Sequence, residues 1–117
     1  MALALLPFAG CAGITCSGVG GYAVQVEVRD AVTGASAVEG AVLTVTDGAY
    51  ADSARGGPGA PPVLAAAPER PGTYTATVRR AGYAEWSRTG VRVGRSGSCG
   101  TLDVARLTAL LQPLRGS

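Results

Sequence analysis

Few side chains in this sequence can do covalent or acid–base chemistry. Cys11, Cys16 and Cys99 are its thiols, and it has no histidine. Histidine is the usual general base near neutral pH and the commonest metal ligand. Without it neither a Ser-His-Asp nor a Cys-His site can be assembled. A catalytic thiol would lack a base to activate it, and three cysteines alone do not make a zinc site of ordinary spacing. Asp30, Asp47 and Asp52 would offer calcium a weak site only if loops brought them together, and Asp30 and Asp47 already stand in turn signals. The catalytic and metal sets are therefore read as empty, with no cofactor. Three aromatic residues, Tyr50, Tyr83 and the single tryptophan Trp86, are candidate stacking platforms for a sugar ring. Trp86 reads first as an anchor in a core or at its rim.

The charge pattern narrows the partners. The ten basic residues are all arginine, eight acids oppose them, and the net charge of +2 is spread along 117 residues. A nucleic-acid interface needs clustered basic residues, so no nucleic-acid partner is expected.

The first residues, M-A-L-A-L-L-P-F-A-G-C, are apolar up to Phe8, with small residues Ala9 and Gly10 before Cys11. That run is too short to cross a bilayer, which takes about twenty residues, and it reads as the end of a secretory signal. Phe-Ala-Gly-Cys resembles a bacterial lipobox, which would make Cys11 the lipidated first residue of an exported protein. The alternatives are an ordinary secreted start, or a true first strand or buried segment. With Cys11 lipidated, Cys16 and Cys99 remain as a pair. In an exported domain such a pair reads as a disulfide, closing a loop of about 80 residues for up to ~4 kcal/mol. It would pin the leader before the first strand to the start of the last one. Two free buried thiols in a cytosolic chain are the alternative.

Alternation supplies the elements. Tyr22 to Arg29 places Tyr22, Val24, Val26 and Val28 on one face. Asp30 to Gly34 reads as a turn. Gly40 to Gly48 places Ala41, Leu43 and Val45 inward, with Thr44 and Thr46 outward. Asp47-Gly48 is a hairpin signal, with Ala49 to Ser53 returning as a short strand. Ala54 to Pro62, rich in glycine and proline, reads as a mobile loop or the lead into an edge strand at Val63 to Ala67. Pro68 to Gly72 reads as a turn centred on Pro71-Gly72, with Glu69 and Arg70 pairing locally. Thr73 to Arg80 sends Tyr74, Ala76 and Val78 inward. Gly82 turns the chain, which returns through Trp86 to Gly94 with a bulge or bend at Gly90. Thr101 to Leu111 reads as a final strand, with a short helix as the alternative. The fold class expected is all-β: a two-layer antiparallel β-sandwich of about seven strands.

The run V-E-V-R-D-A-V-T-G-A-S-A-V-E-G-A-V-L-T-V-T-D-G, followed by E-R-P-G-T-Y-T-A-T-V-R-R-A-G-Y, resembles the carboxypeptidase regulatory-like domains, which share the transthyretin-like (prealbumin-like) sandwich. Gly72, Tyr74, Val78, Gly82 and Tyr83 carry its more specific half. Cys11, Cys16, Trp86 and Cys99 match the places of an early cysteine pair and a late cysteine in a small bacterial lipoprotein version. The resemblance spans Cys11 to Pro113. It divides the chain into a signal remnant (1–10), a tether (11–21), the sandwich (22–113) and a tail (114–117).

The resemblance implies a domain without an active site. The expectation is a non-enzymatic, lipid-anchored, monomeric module of the bacterial envelope with a structural or binding role. Its partner, an envelope protein or a glycan, is not specified. A carbohydrate- or small-molecule-binding transthyretin-like domain is the alternative. The end Leu114-Arg115-Gly116-Ser117 is similar to the terminal tetrapeptide of the hydroxyisourate hydrolases. Leucine replaces that family's tyrosine, and its essential histidines have no counterpart here.

Overall fold

Strand alternation becomes two packed sheets. The computed structural model describes residues 21–114 and contains nine strands there: β1 (Tyr22–Asp30), β2 (Val42–Asp47), β3 (Tyr50–Arg55), β4 (Val63–Pro68), β5 (Gly72–Arg79), β6 (Trp86–Val93), β7 (Arg95–Ser96), β8 (Thr101–Leu102) and β9 (Ala105–Leu111). One sheet has the order β4-β1-β9 and the other β3-β2-β5-β6, while β7 and β8 form a separate small hairpin. The molecule is thus an all-β sandwich of three strands on four.

The registers fix which loops share an end. Val42 lies opposite both Arg55 and Arg79, while Asp47 lies opposite Tyr50 and Thr46 opposite Thr75. The end holding Val42 is called upper here, and the end holding Asp47 lower. Strand β1 enters at the lower end, where Tyr22 faces Pro68. It reaches the upper end at Asp30, beside Tyr83 in the β5–β6 turn. After β6 descends, the β7–β8 hairpin returns the chain at the lower end. Strand β9 therefore rises alongside β1 in parallel, from Val24 opposite Ala105 to Asp30 opposite Leu111. This pairing departs from the all-antiparallel sheet expected, and its cause is the arch that carries the chain from one layer to the other. The final strand is Ala105–Leu111 rather than a helix, and it is shorter than the expected Thr101 to Leu111 because Thr101–Leu102 belongs to the β7–β8 hairpin.

The core is small and made of medium side chains. Val24, Val26 and Val28 of β1 meet Leu43 and Val45 of β2, Tyr74, Ala76 and Val78 of β5, and Ala109 and Leu111 of β9, all nearly or fully buried. Each buried valine or leucine stabilises the fold by about 1.5–3 kcal/mol relative to exposure. Among the described residues no polar or charged side chain is buried. Tyr22 is an exception to the expected face: it is 46% exposed, and Ala23 is buried in its place. The β9 pairing starts only at Val24, so Tyr22 lies beyond the sheet's second neighbour.

Several local expectations hold and three shift. Asp30 Oδ1 accepts hydrogen bonds from the Val32 and Thr33 amides at 2.7 and 2.9 Å, and Gly34 takes a φ of +78°. This is the side-chain turn that Asp and Gly allow. Asp47-Gly48 closes the β2–β3 hairpin, with Gly48 at +60°. The β5–β6 register slips between Tyr74 and Ala76, opposite Gly90 at φ +68°, which is the expected bulge. Strand β3 runs on to Arg55, so the proline-rich connection starts only at Gly56 and leads into the edge strand β4. The β4–β5 turn is centred on Glu69, with Ala67 and Glu69 at φ +62° and +50°. Gly72 is already in β5, where a Cβ would come within 2.5 Å of Asp47 Oδ2. A larger residue there would displace the ends of the Asp47 and Arg70 side chains. Arg70 correspondingly pairs with Asp47 at 3.1 Å rather than with its neighbour Glu69.

Candidate functional site

The registers set four side chains in a row across the outer face of the larger sheet. Arg55 ends β3, Val42 begins β2 and Arg79 ends β5, and Val42 faces both arginines. Leu43 and Val78, one step along their strands, point into the core, so by period two this row points out. Glu85 extends the row just before β6, accepting a hydrogen bond from Arg79 Nε at 3.2 Å. The β5–β6 turn then folds Arg80, Ala81 and Tyr83 over the row. The result is an open cleft of about 400 Å³ at the upper end, lined by Gly40, Val42, Arg55, Arg79, Arg80, Ala81, Tyr83 and Glu85.

The turn is held from below. The Arg80 Nε donates to the Glu39 carbonyl at 2.7 Å, and the Arg80 guanidinium lies 5.1 Å from the Tyr83 ring centre. The Tyr83 hydroxyl donates to Asp30 Oδ2 at 2.7 Å. That bond, with the Thr33 and Val32 amides, holds the Asp30 carboxyl below its ordinary pKa; the same bond raises the Tyr83 hydroxyl above its own. Arg79 and Arg80 thus each contact a protein partner at the surface. The side chain of Arg55, the third arginine, makes no ion pair or hydrogen bond among the described residues. Guanidinium groups stay charged at every physiological pH and offer only donors. A cleft of this composition can hold an oxyanion, but its arginines cannot relay protons.

The aromatic candidates do not all come together. Tyr83 lines the cleft. Trp86 lies nearby on β6 but turns half-buried toward the core, with the Arg88 guanidinium 5.6 Å from its ring. It serves at the rim, as one of its two expected structural roles. Tyr50 sits at the opposite, lower end, under the Arg70 guanidinium at 3.9 Å and edge-on to Tyr74 at 6.3 Å. Burial raises its hydroxyl pKa. Tyr50 is therefore not brought to Trp86, whereas Tyr83 and Trp86 share the upper end.

The acids are also apart. Asp30 serves its turn, Asp47 holds Arg70, and Asp52 Oδ2 accepts the Ala67 amide at 2.8 Å. Among the described residues no three metal-ligating side chains cluster. Cys99 lies in the turn between β7 and β8, ahead of β9 rather than on the last strand. Its expected partner Cys16, the lipidation candidate Cys11 and the leader and tether calls on residues 1–20 lie outside the described residues, as does most of the 114–117 tail.

Sequence reasoning passed over Arg55, Arg79, Arg80 and Glu85. The Arg79-Arg80 doublet before a glycine turn was the visible signal, whereas Arg55 joins them only through the β3–β2–β5 register. No protein-family model matches the chain, and no curated protein matches it.

Proposed function

We propose that this chain is a non-enzymatic binding module exported to the bacterial envelope, lipid-anchored through Cys11 and stapled by a Cys16–Cys99 disulfide. The carboxypeptidase regulatory-like form of the transthyretin-like sandwich is the reading of its fold family. The observation that carries the binding role is the upper cleft. Three arginines from β3, β5 and the β5–β6 turn line one open concavity on a rigid sheet. Binding sites favour concave surfaces with a few converging polar groups, and arginine binds anions without exchanging protons. Two further points support the non-enzymatic reading. The chain has no histidine, and Tyr83, the titratable hydroxyl in the cleft, has its pKa raised away from neutrality by Asp30.

The test is one intact mass of the full-length protein recovered from bacterial membranes, unreduced and with free thiols blocked. The expected result is a diacyl- or triacylglyceryl mass starting at Cys11, with no blocked thiol. An unprocessed chain carrying three blocked thiols would overturn the anchor and the staple together.

A further inference from the structure

We propose that the upper cleft binds a phosphomonoester on a body of about monosaccharide size, with Arg55 as the arginine held open for the phosphoryl group. This rests on the reading of the chain as a binding module and adds the ligand's chemistry. Arg79 is matched by Glu85, and Arg80 contacts the Glu39 carbonyl and the Tyr83 ring. Arg55 has neither kind of partner and faces the same cavity from the far side of Val42. Arg55 and Arg79 stand one strand spacing to either side of Val42, roughly 10 Å apart at the backbone. Side chains of that length converge on a group placed over Val42.

Charge selects the class of anion. Three arginines less Glu85 leave the cleft with an excess of two positive charges. A phosphomonoester carries about −1.5 to −2 near neutral pH, whereas a single carboxylate would leave one positive charge unmatched. The guanidinium fork suits phosphoryl oxygens in bidentate geometry. Val42 supplies an apolar floor and Tyr83 an aromatic wall for the body of the ligand. The cavity of about 400 Å³ lies in the lower part of the usual range for small-molecule sites.

The phosphoryl group has two sources, a soluble sugar phosphate or a lipid headgroup. The full-length protein in a non-ionic detergent is titrated with glucose 6-phosphate and, separately, with glucose, while backbone amide resonances are followed. Titration of the same detergent-solubilised protein with dioctanoyl phosphatidic acid and, separately, with dioctanoyl phosphatidylcholine supplies the lipid arm. The expected result is saturable shifts at Gly40, Val42 and Ala81 with the phosphomonoester and none with glucose. Arg55→Gln should weaken the response at least tenfold, Arg55→Lys by less, and Arg92→Gln, on the lower part of the sheet, not at all. An Arg55-dependent response to either phosphomonoester supports the proposal, and the responding probe names the source. Silence with both probes overturns it, as does equal binding of glucose or an equal loss in Arg92→Gln. Unchanged dispersion of the amide spectrum verifies that each variant is folded. The lipid mass is read independently. Silence from a correctly lipidated protein therefore defeats the ligand assignment alone, and an unlipidated chain with free thiols defeats the anchored-module reading.

Discussion

Replacing Gly56 by alanine should unfold this domain far more readily than its position in a glycine-rich connection suggests. Gly56 is buried just after β3, and a Cβ there would stand 2.1 Å from the Val38 carbonyl oxygen and 3.0 Å from Val38 Cγ2. The blocking atom is backbone, so no rotamer change relieves the clash. The Val38 carbonyl also accepts the Ala41 amide at 2.9 Å, and Ala41 is fully buried. Moving the carbonyl by the ångström or so required breaks that bond. An unsatisfied buried amide costs about 1–3 kcal/mol, and overpacking adds about 1–3 kcal/mol more. We expect a loss of about 3 kcal/mol, a large share of the roughly 5–10 kcal/mol typical of a domain this size. With a urea slope of about 1–1.5 kcal/mol per molar, the unfolding midpoint should fall by about 2–3 M. The assay is urea unfolding followed by Trp86 fluorescence and far-ultraviolet circular dichroism. Gly57→Ala is the matched control, because a Cβ there meets nothing within 4 Å; it should change stability by about 0.5 kcal/mol or less. A loss below about 1 kcal/mol in Gly56→Ala, or equal losses in both variants, would refute the steric reasoning.

Two further perturbations test the two ends of the sandwich. Tyr74→Phe removes a hydroxyl that donates to the Arg70 carbonyl and accepts from Arg70 Nη1, beneath a ring only 1% exposed. It should cost about 1–2 kcal/mol in urea unfolding, and a cost under about 0.3 kcal/mol would mean that the lower turn does not depend on this tyrosine. Asp30 has a folded-state pKa below its unfolded value, chiefly through Tyr83. Its contribution is therefore present above the ordinary carboxylate pKa and is lost as pH falls through the lowered one. Asp30→Asn should lower the thermal midpoint at pH 7, and the gap from the parent should close as both are acidified below the ordinary carboxylate pKa. A gap that stays constant with pH would place the effect outside the Asp30 charge.

The strands were legible where one face is buried, because period-two alternation reports burial directly. Val24, Val26 and Val28, then Leu43 and Val45, then Tyr74, Ala76 and Val78 all follow it. Asp30, Gly34, Gly48, Gly82 and Gly90 marked their turns and bulge through local backbone preference. What failed was long-range. The Arg70–Asp47 contact joins residues 23 apart in sequence, and local charge pairing pointed to Glu69 instead. The parallel partner of β1 comes from the far end of the described chain, and no nearby residue encodes it. The cleft was hidden for the same reason. Arg55 and Arg79 are neighbours only because both strands take their register from Val42, and register is a property of the assembled sheet.

The parallel pairing of β1 with β9 also decides how this domain would answer a mechanical load. The chain enters β1 at the lower end and leaves β9 at the upper end, and the two strands lie side by side over seven paired positions. Tension applied between those two ends pulls the strands past each other along their length. The slanted bonds of the parallel ladder then bear the load together, in shear, instead of opening one at a time like a zipper. Yielding under tension is governed by the unfolding barrier rather than by equilibrium stability, and shear makes the first step of that unfolding a concerted one. The arch that brings β9 home beside β1 therefore sets the first and last long strands to share such a load side by side.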